Sequence, residues 1–294
     1  MFLLIVTVHP LENKPVHSLL RKVQWGCITD HAWLSAVHLL SDKKGIFMQN
    51  YKLTLQYNGT RYPGWQKPEK GGQSRTISGK IAAVLNRMTD EEIILHAGAK
   101  TEAGVHALAQ TASFKTACAF SPDEIVRGLN QYLPADIAVT DCEQVPERFQ
   151  ADLNAVSRTY EYRICTAPVY DIFTAGYTAH IYPGPDVKQM ETVAGYLIGT
   201  HDFRGFSGGR QKKGTEKTVT DIRISQLSGI TITITADNFL YRMPSLLIGT
   251  LIEIGLGKRT PESLSAILEG KEKAEALCDP KGLLLKSVQY KSVQ

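Results

Sequence analysis

The chain has 294 residues, of which 43% are hydrophobic, and a formal net charge of +4, so it can bury a full core and is neither a low-complexity nor a strongly charged disordered polypeptide. The modest positive charge admits nucleic acid as a partner without requiring it, so any such case rests on local clustering. Five cysteines, Cys27, Cys118, Cys142, Cys165 and Cys278, are scattered and odd in number, which argues against a disulfide framework and a zinc site and for a reducing, cytoplasmic setting.

The apolar opening Phe2 to Val8 runs into Pro10 and is too short for a membrane span or a signal peptide. Residues 1–47 carry Trp25, Trp33 and four of the eight histidines, His9, His17, His31 and His38, without a sustained period. Their spacing lacks the short pairing that sets two imidazoles on one helix face, so a metal site is not expected there. Met48 stands directly before a regular strand, and the preceding segment reads either as an atypical extension or as an over-long gene model.

From Tyr51 the pattern is regular. Leu53, Leu55 and Tyr57 alternate with Lys52, Thr54 and Gln56, as on a half-buried strand. Ile77, Ile81, Val84, Leu85 and Met88 recur at helical spacing, and strands are predicted at Ile93 to His96 and Thr111 to Phe114. Ser121-Pro122-Asp123-Glu124 is a capping box with proline in the first turn, opening a helix through Leu129, and Ile137 to Val145 reads as a strand. The same order then repeats: a strand at Thr159 to Cys165, a helix over Val187 to Ile198, strands at Val219 to Ile224 and Ile230 to Thr235, and an apolar helix after Phe239. Thr260-Pro261 opens one more helix that stops at Gly270, and Leu283 to Val288 closes as a strand. The expectation is an α+β fold of two ferredoxin-like β-α-β-β-α-β halves, residues 48–150 and 151–294, with sheets joined around a central RNA-binding cleft.

Four segments carry more than fold. Tyr57-Asn58-Gly59-Thr60-Arg61-Tyr62-Pro63-Gly64-Trp65-Gln66 packs aromatics, glycines and Arg61 into a loop, as either a turn or a site would. Gly98-Ala99-Lys100-Thr101-Glu102-Ala103-Gly104-Val105-His106-Ala107 sets a cation, a hydroxyl and a carboxylate on a connection between strands. In Arg158-Thr159-Tyr160-Glu161-Tyr162, alternation puts Arg158, Tyr160 and Tyr162 on one face, either to stack on a base or to fill a core. Asn238-Phe239-Leu240-Tyr241-Arg242-Met243-Pro244 leads into a helix that tolerates Pro244 only in its first turn. A further run, Arg204 to Lys217, holds Arg210, Lys212 and Lys213 among glycines and reads equally as an RNA phosphate grip or a solvated loop.

In this order, the segments resemble the TruA family of tRNA pseudouridine synthases. The resemblance runs from about Tyr51 to Tyr290 and takes in the Y-x-G-x-x-Y-x-G-W-Q opening, Gly128-Leu129-Asn130-Gln131-Tyr132-Leu133-Pro134, His201-Asp202-Phe203 and the Gly282-Leu283 to Tyr290 ending. It implies a reaction free of cofactor and metal on a uridine flipped from the anticodon arm of tRNA: the glycosidic bond breaks and the base is reattached through carbon 5. It further implies a homodimer. By resemblance, Glu102 takes the catalytic aspartate's place, Tyr160 stacks on the base, and Lys100, Thr101, His106 and Arg158 belong to the substrate site. Arg61, Arg210, Lys212 and Lys213 fall to RNA.

The chain departs from the family at several of these positions. G-R-T-D reads here as Ala99-Lys100-Thr101-Glu102, the arginine that follows F-L-x-x-M is Ser245, and H-A-R after Phe149 reads Gln150-Ala151-Asp152. Lys100 and Arg242 are the cations that could stand in for the absent arginine, although lysine lacks the planar fork. Two outcomes follow: an active synthase using Glu102, or a tRNA-binding relative that has lost its chemistry.

Overall fold

A computed structural model of the chain describes residues 48–66, 73–209 and 213–291. The expectations placed on residues 1–47, Arg210 and Lys212 lie outside the described residues. In chain order, the elements are β1 Gln49–Tyr57, α1 Ile77–Thr89, β2 His96–Ala97, β3 His106–Thr116, α2 Pro122–Tyr132, β4 Ile137–Gln144, α3 Ala151–Asn154 and β5 Ala155–Cys165. They continue with β6 Ala179–His180, α4 Val187–Ala194, β7 Gly199–Asp202, β8 Glu216–Gln226, β9 Ile230–Ala236, α5 Met243–Gly255, α6 Glu262–Leu268 and β10 Leu283–Tyr290.

All the described strands belong to one sheet in the order β4-β1-β3-β10-β5-β9-β8-β7, with β2 on β3 and β6 on β5. The first set therefore runs β4-β1-β3-β2 and the second β10-β5-β9-β8, the same ferredoxin-like order twice. What joins them is the brevity of β2. It pairs only with Ser113 and Ala112, which leaves the same edge of β3 open at His106 and Ala107, where β10 adds in parallel. One row of residues consequently crosses both sets: Tyr57 beside Ala107, Ala107 beside Leu285, Leu285 beside Tyr160 and Tyr160 beside Ile234. All five are buried.

The alternation read from the sequence accounts for this face. Tyr51, Leu53, Leu55 and Tyr57 of β1 and Ile230, Ile232 and Ile234 of β9 point into the core, and the threonines between the isoleucines are half-buried. Helices supply Ile81, Leu85, Ile125, Leu129, Met190, Val193, Leu247 and Leu251 to the same apolar cluster, each worth roughly 1.5–3 kcal/mol on full burial.

The capping box forms as expected: Glu124 N donates to Ser121 Oγ at 3.3 Å, and Ser121 N donates to the Glu124 carboxylate at 2.8 Å. Pro244 falls in the first turn of α5, where no intrahelical N–H is lost.

Several bounds differ from the sequence reading. The strand expected over Ile93 to His96 is only His96–Ala97, because Ile93 N donates to Asn86 Oδ1 at 2.9 Å and is held to α1 instead. The helix expected through Ile198 ends at Ala194, and its last turn, Gly195–Leu197, tightens to a 3-10 helix. Thr260 gives α6 no side-chain cap; Pro261 occupies the cap position, and the Thr260 carbonyl accepts from Ser263. Among the described residues, no helix is long and apolar enough to cross a membrane.

Candidate active site

Glu102 lies on the connection between β2 and β3, and that connection is fixed atom by atom. The side chain of Gln110 on β3 grips Ala99 at both ends, accepting from its N–H at 3.2 Å and donating to its carbonyl at 2.7 Å. Thr101 is buried, and its hydroxyl is 2.7 Å from the phenol of Tyr57. Its carbonyl accepts from Trp65 N at 3.0 Å, while Gly104 N donates to the carbonyl of Tyr62 at 3.2 Å.

The aromatic and glycine motif at Tyr57 to Gln66 is thus the buttress of this loop. Gly64, at φ +108°, lies so close that a Cβ there would stand 2.7 Å from the Thr101 carbonyl oxygen. At Gly59 a Cβ would meet the Val105 carbonyl oxygen at 1.9 Å. Only glycine permits either approach. Burial pushes the Tyr57 phenol up to about 12, so it stays protonated and serves the loop as a hydrogen-bonding group.

The loop delivers Glu102 to a cavity of about 430 Å³ that is also lined by Lys100, Asp152, Arg158, Tyr160, Phe239 and Arg242. The Glu102 side chain is 20% exposed. Burial raises its pKa above the ordinary glutamate value, and this is opposed by a hydrogen bond from Ser245 and by the charge of Arg242. Ser245 Oγ donates to one carboxylate oxygen at 3.1 Å, and Arg242 Nε lies 3.9 Å from the other. Ser245 and Arg242 bracket the first turn of α5. The cation therefore arrives from three residues before the position where the family's arginine would stand, and a hydroxyl occupies that position.

Arg242 adopts the left-handed conformation at φ 62°, ψ 7° as the N-cap of α5, which costs a residue with a side chain about 1–3 kcal/mol. Its guanidinium lies over the Tyr241 ring at 5.3 Å. Gly208 packs beneath its aliphatic stem, where a Cβ would meet Arg242 Cδ at 2.7 Å.

Tyr160 is 5% exposed and meets Phe239 edge to face, with ring centroids 5.2 Å apart. Desolvation, with the nearby Tyr57 and Glu102, raises its pKa strongly, so it offers a neutral ring to the cavity. Arg158 lines the same cavity but spends its donors on main-chain carbonyls: Gly98 at 2.9 Å, Asp237 at 2.5 Å, Ala155 at 3.3 Å and Asp152 at 3.1 Å. It ties the Glu102 loop to the segment before α5.

The sequence-derived residues divide accordingly. Glu102, Lys100, Arg158 and Tyr160 meet in one cavity; Lys100 is exposed and, among the described residues, has no hydrogen-bond or ion-pair partner. Thr101 turns its hydroxyl inward to Tyr57 and lines a second, adjoining cavity. His106 and Arg61 line neither of these. Both line a depression on the opposite face of the sheet, where His106 Nδ1 accepts from Gly59 N at 3.2 Å and Arg61 pairs with Asp136 at 2.5 Å. Burial lowers the His106 pKa, keeping it neutral. Lys213 lies in a shallow depression with His201 and Arg204, away from Glu102. Missed in the sequence reading were the cavity roles of Phe239 and Tyr241. Their signal was an aromatic pair flanking Leu240 in a short loop before an apolar helix.

The sequence profile of the family described as tRNA pseudouridine synthase matches residues 54–153 and 193–291, and these spans hold the loop of Glu102 and the start of α5. The chain belongs to the tRNA pseudouridine synthase family. It is similar to tRNA pseudouridine synthase A 2 of Clostridium tetani (strain Massachusetts / E88), with 39% identity over 247 residues, 82% of this chain and 99% of that one. A protein named tRNA pseudouridine synthase A from Bacillus sp. (strain KSM-64) is 40% identical over 83% of this chain and its own full length.

Proposed function

We propose that the chain is a tRNA pseudouridine synthase in which Glu102 is the catalytic carboxylate. The observation that carries this reading is that Glu102, Tyr160 and three cations, Lys100, Arg158 and Arg242, line one cavity about 430 Å³ in volume, large enough for a flipped nucleoside. The names of the similar proteins support tRNA as the substrate.

The chemistry follows from these groups. A uridine extruded from the RNA enters with its base over the neutral Tyr160 ring, where stacking holds the pyrimidine without fixing its in-plane orientation. The ionised Glu102 acts at the ribose, as nucleophile or as base, while the bond from C1′ to N1 breaks. The freed base turns about its own plane and C5 bonds to C1′; the proton on C5 is lost and N1 gains one, so no atom is gained or lost. Ser245 and Arg242 hold the carboxylate in aim and in its charged form. A misplacement of about 1 Å at such a group costs about 10²-fold in rate, so the extra methylene of glutamate is accommodated only if these two partners set its position.

By family resemblance, the target lies in the anticodon stem-loop and the working form is a cytoplasmic homodimer. Arg61 and Lys213, which line other depressions, remain proposed RNA contacts, as do Arg210 and Lys212. Neutralising Arg210, Lys212 and Lys213 together flattens the salt dependence of tRNA affinity if they grip phosphates, and leaves it unchanged otherwise. The main test is incubation with unmodified tRNA followed by mapping of pseudouridine. Conversion at a defined uridine supports the reading, and binding without conversion selects the alternative of a tRNA-binding relative without catalysis. Sedimentation as a monomer at working concentration would contradict the dimer.

A further inference from the structure

A second cavity, of about 720 Å³, adjoins the first on the other side of Glu102. The two share four lining residues, Lys100, Glu102, Tyr241 and Arg242, so anything that passes from one to the other crosses that wall. Two of the four are cations, and the Lys100 ammonium has no hydrogen-bond or ion-pair partner among the described residues. Beyond the wall the second cavity is lined by Pro63, Leu277 and Pro280 among others, with Leu277 47% exposed, and Tyr241 of the wall is itself 55% exposed.

We propose that the second cavity is a subsite for the nucleotide adjoining the flipped uridine, whose base stacks on Tyr241 while the phosphodiester linking the two crosses the wall at Lys100 and Arg242. This inference rests on the reading that the first cavity holds the target uridine. Three properties of the wall support it. The linking phosphate is the one part of the RNA obliged to cross between the cavities, and the wall there is cationic. The Arg242 guanidinium lies over the Tyr241 ring at 5.3 Å, and the residue is 55% exposed, so the ring keeps surface on which a base can stack. Stacking on an aromatic is tolerant of base identity, since every base has a π-face, so this subsite adds affinity and register without demanding one neighbouring base. It also fixes the strand beside the reacting ribose, which restricts where C1′ falls relative to Glu102.

The test uses the full-length chain and a stem-loop of unmodified tRNA carrying a single abasic nucleotide at each loop position in turn. With wild type, an abasic nucleotide beside the modified uridine lowers affinity by roughly 5- to 100-fold, the loss expected of one stacked base. Tyr241→Ala lowers affinity for the intact stem-loop by a similar factor and shows no further loss with that abasic RNA, whereas Tyr241→Phe behaves as wild type. Losses that multiply instead, or a Tyr241→Ala variant with the wild-type abasic profile, would overturn the subsite while leaving conversion at the target uridine intact. A wild-type chain that binds stem-loop RNA and converts no uridine would overturn the reading of the first cavity, and the subsite with it.

Discussion

Ser245 Oγ donates to Oε1 of Glu102 at 3.1 Å, joining the first turn of α5 to the loop between β2 and β3. A hydrogen bond to a charged group contributes about 1.5–3 kcal/mol. If Glu102 must be ionised and aimed, Ser245→Ala lowers kcat about tenfold or more and leaves tRNA affinity nearly unchanged, because the hydroxyl holds the carboxylate and not the RNA. Steady-state kinetics that separate kcat from KM check this.

The pH dependence follows from the same carboxylate. Burial raises the Glu102 pKa, and Arg242 and Ser245 oppose the rise. Activity therefore falls on the acid side with a midpoint above that of an exposed glutamate, and Arg242→Ala moves that midpoint to still higher pH. The stability effect has a definite sign. Because the folded-state pKa is raised, folding is disfavoured once Glu102 ionises; the penalty is absent below the unfolded-state pKa, grows as pH rises through the folded-state pKa and is complete above it. Glu102→Gln accordingly raises Tm at neutral pH, and the gain disappears in acid. Thermal melts of both proteins across pH measure it.

Gly64 has φ +108° and lies against Thr101 and Glu102. Gly64→Ala strains the backbone and forces a Cβ to within 2.7 Å of the Thr101 carbonyl oxygen, a combined cost of about 2–4 kcal/mol. The expected outcome is a lower midpoint in urea together with a fall in kcat, because the loop that yields is the one bearing Glu102.

Arg158 is 5% exposed and binds four main-chain carbonyls from three segments. Arg158→Lys retains the charge but cannot span those carbonyls with one nitrogen. It destabilises by about 3 kcal/mol or more, and denaturant titration reveals a loss of stability out of proportion to any loss of tRNA affinity in the fraction that remains folded.

The strands and helices were legible because their signals are local: the alternation of β1 and β9, the capping box at Ser121 and the proline in the first turn of α5 are each contained within a few residues. Glu102 and Tyr160 stood out through their motifs, and the fold brings them to one cavity. What the sequence hid depends on contacts between distant segments. Arg158 reads as a free cation beside two tyrosines, and only the approach of Gly98 and Asp237 turns it into a bracket. Arg61 and His106 stand near the motif in sequence, but alternation along β3 and the turn at Gly59 direct them to the opposite face of the sheet. The shift of the cation from position 245 to Arg242 could be suspected, yet its reach to Glu102 depends on a left-handed backbone that no propensity foretells for arginine.

In the proposed function, Glu102 carries out chemistry on a uridine of tRNA. The most direct test of this role is single-turnover conversion of unmodified tRNA by wild type, Glu102→Gln and Glu102→Asp, with pseudouridine mapped in the product and affinity measured alongside. Conversion by wild type, none by Glu102→Gln despite unchanged binding, and partial activity or better for Glu102→Asp are expected. Conversion by Glu102→Gln at the wild-type rate would contradict that role.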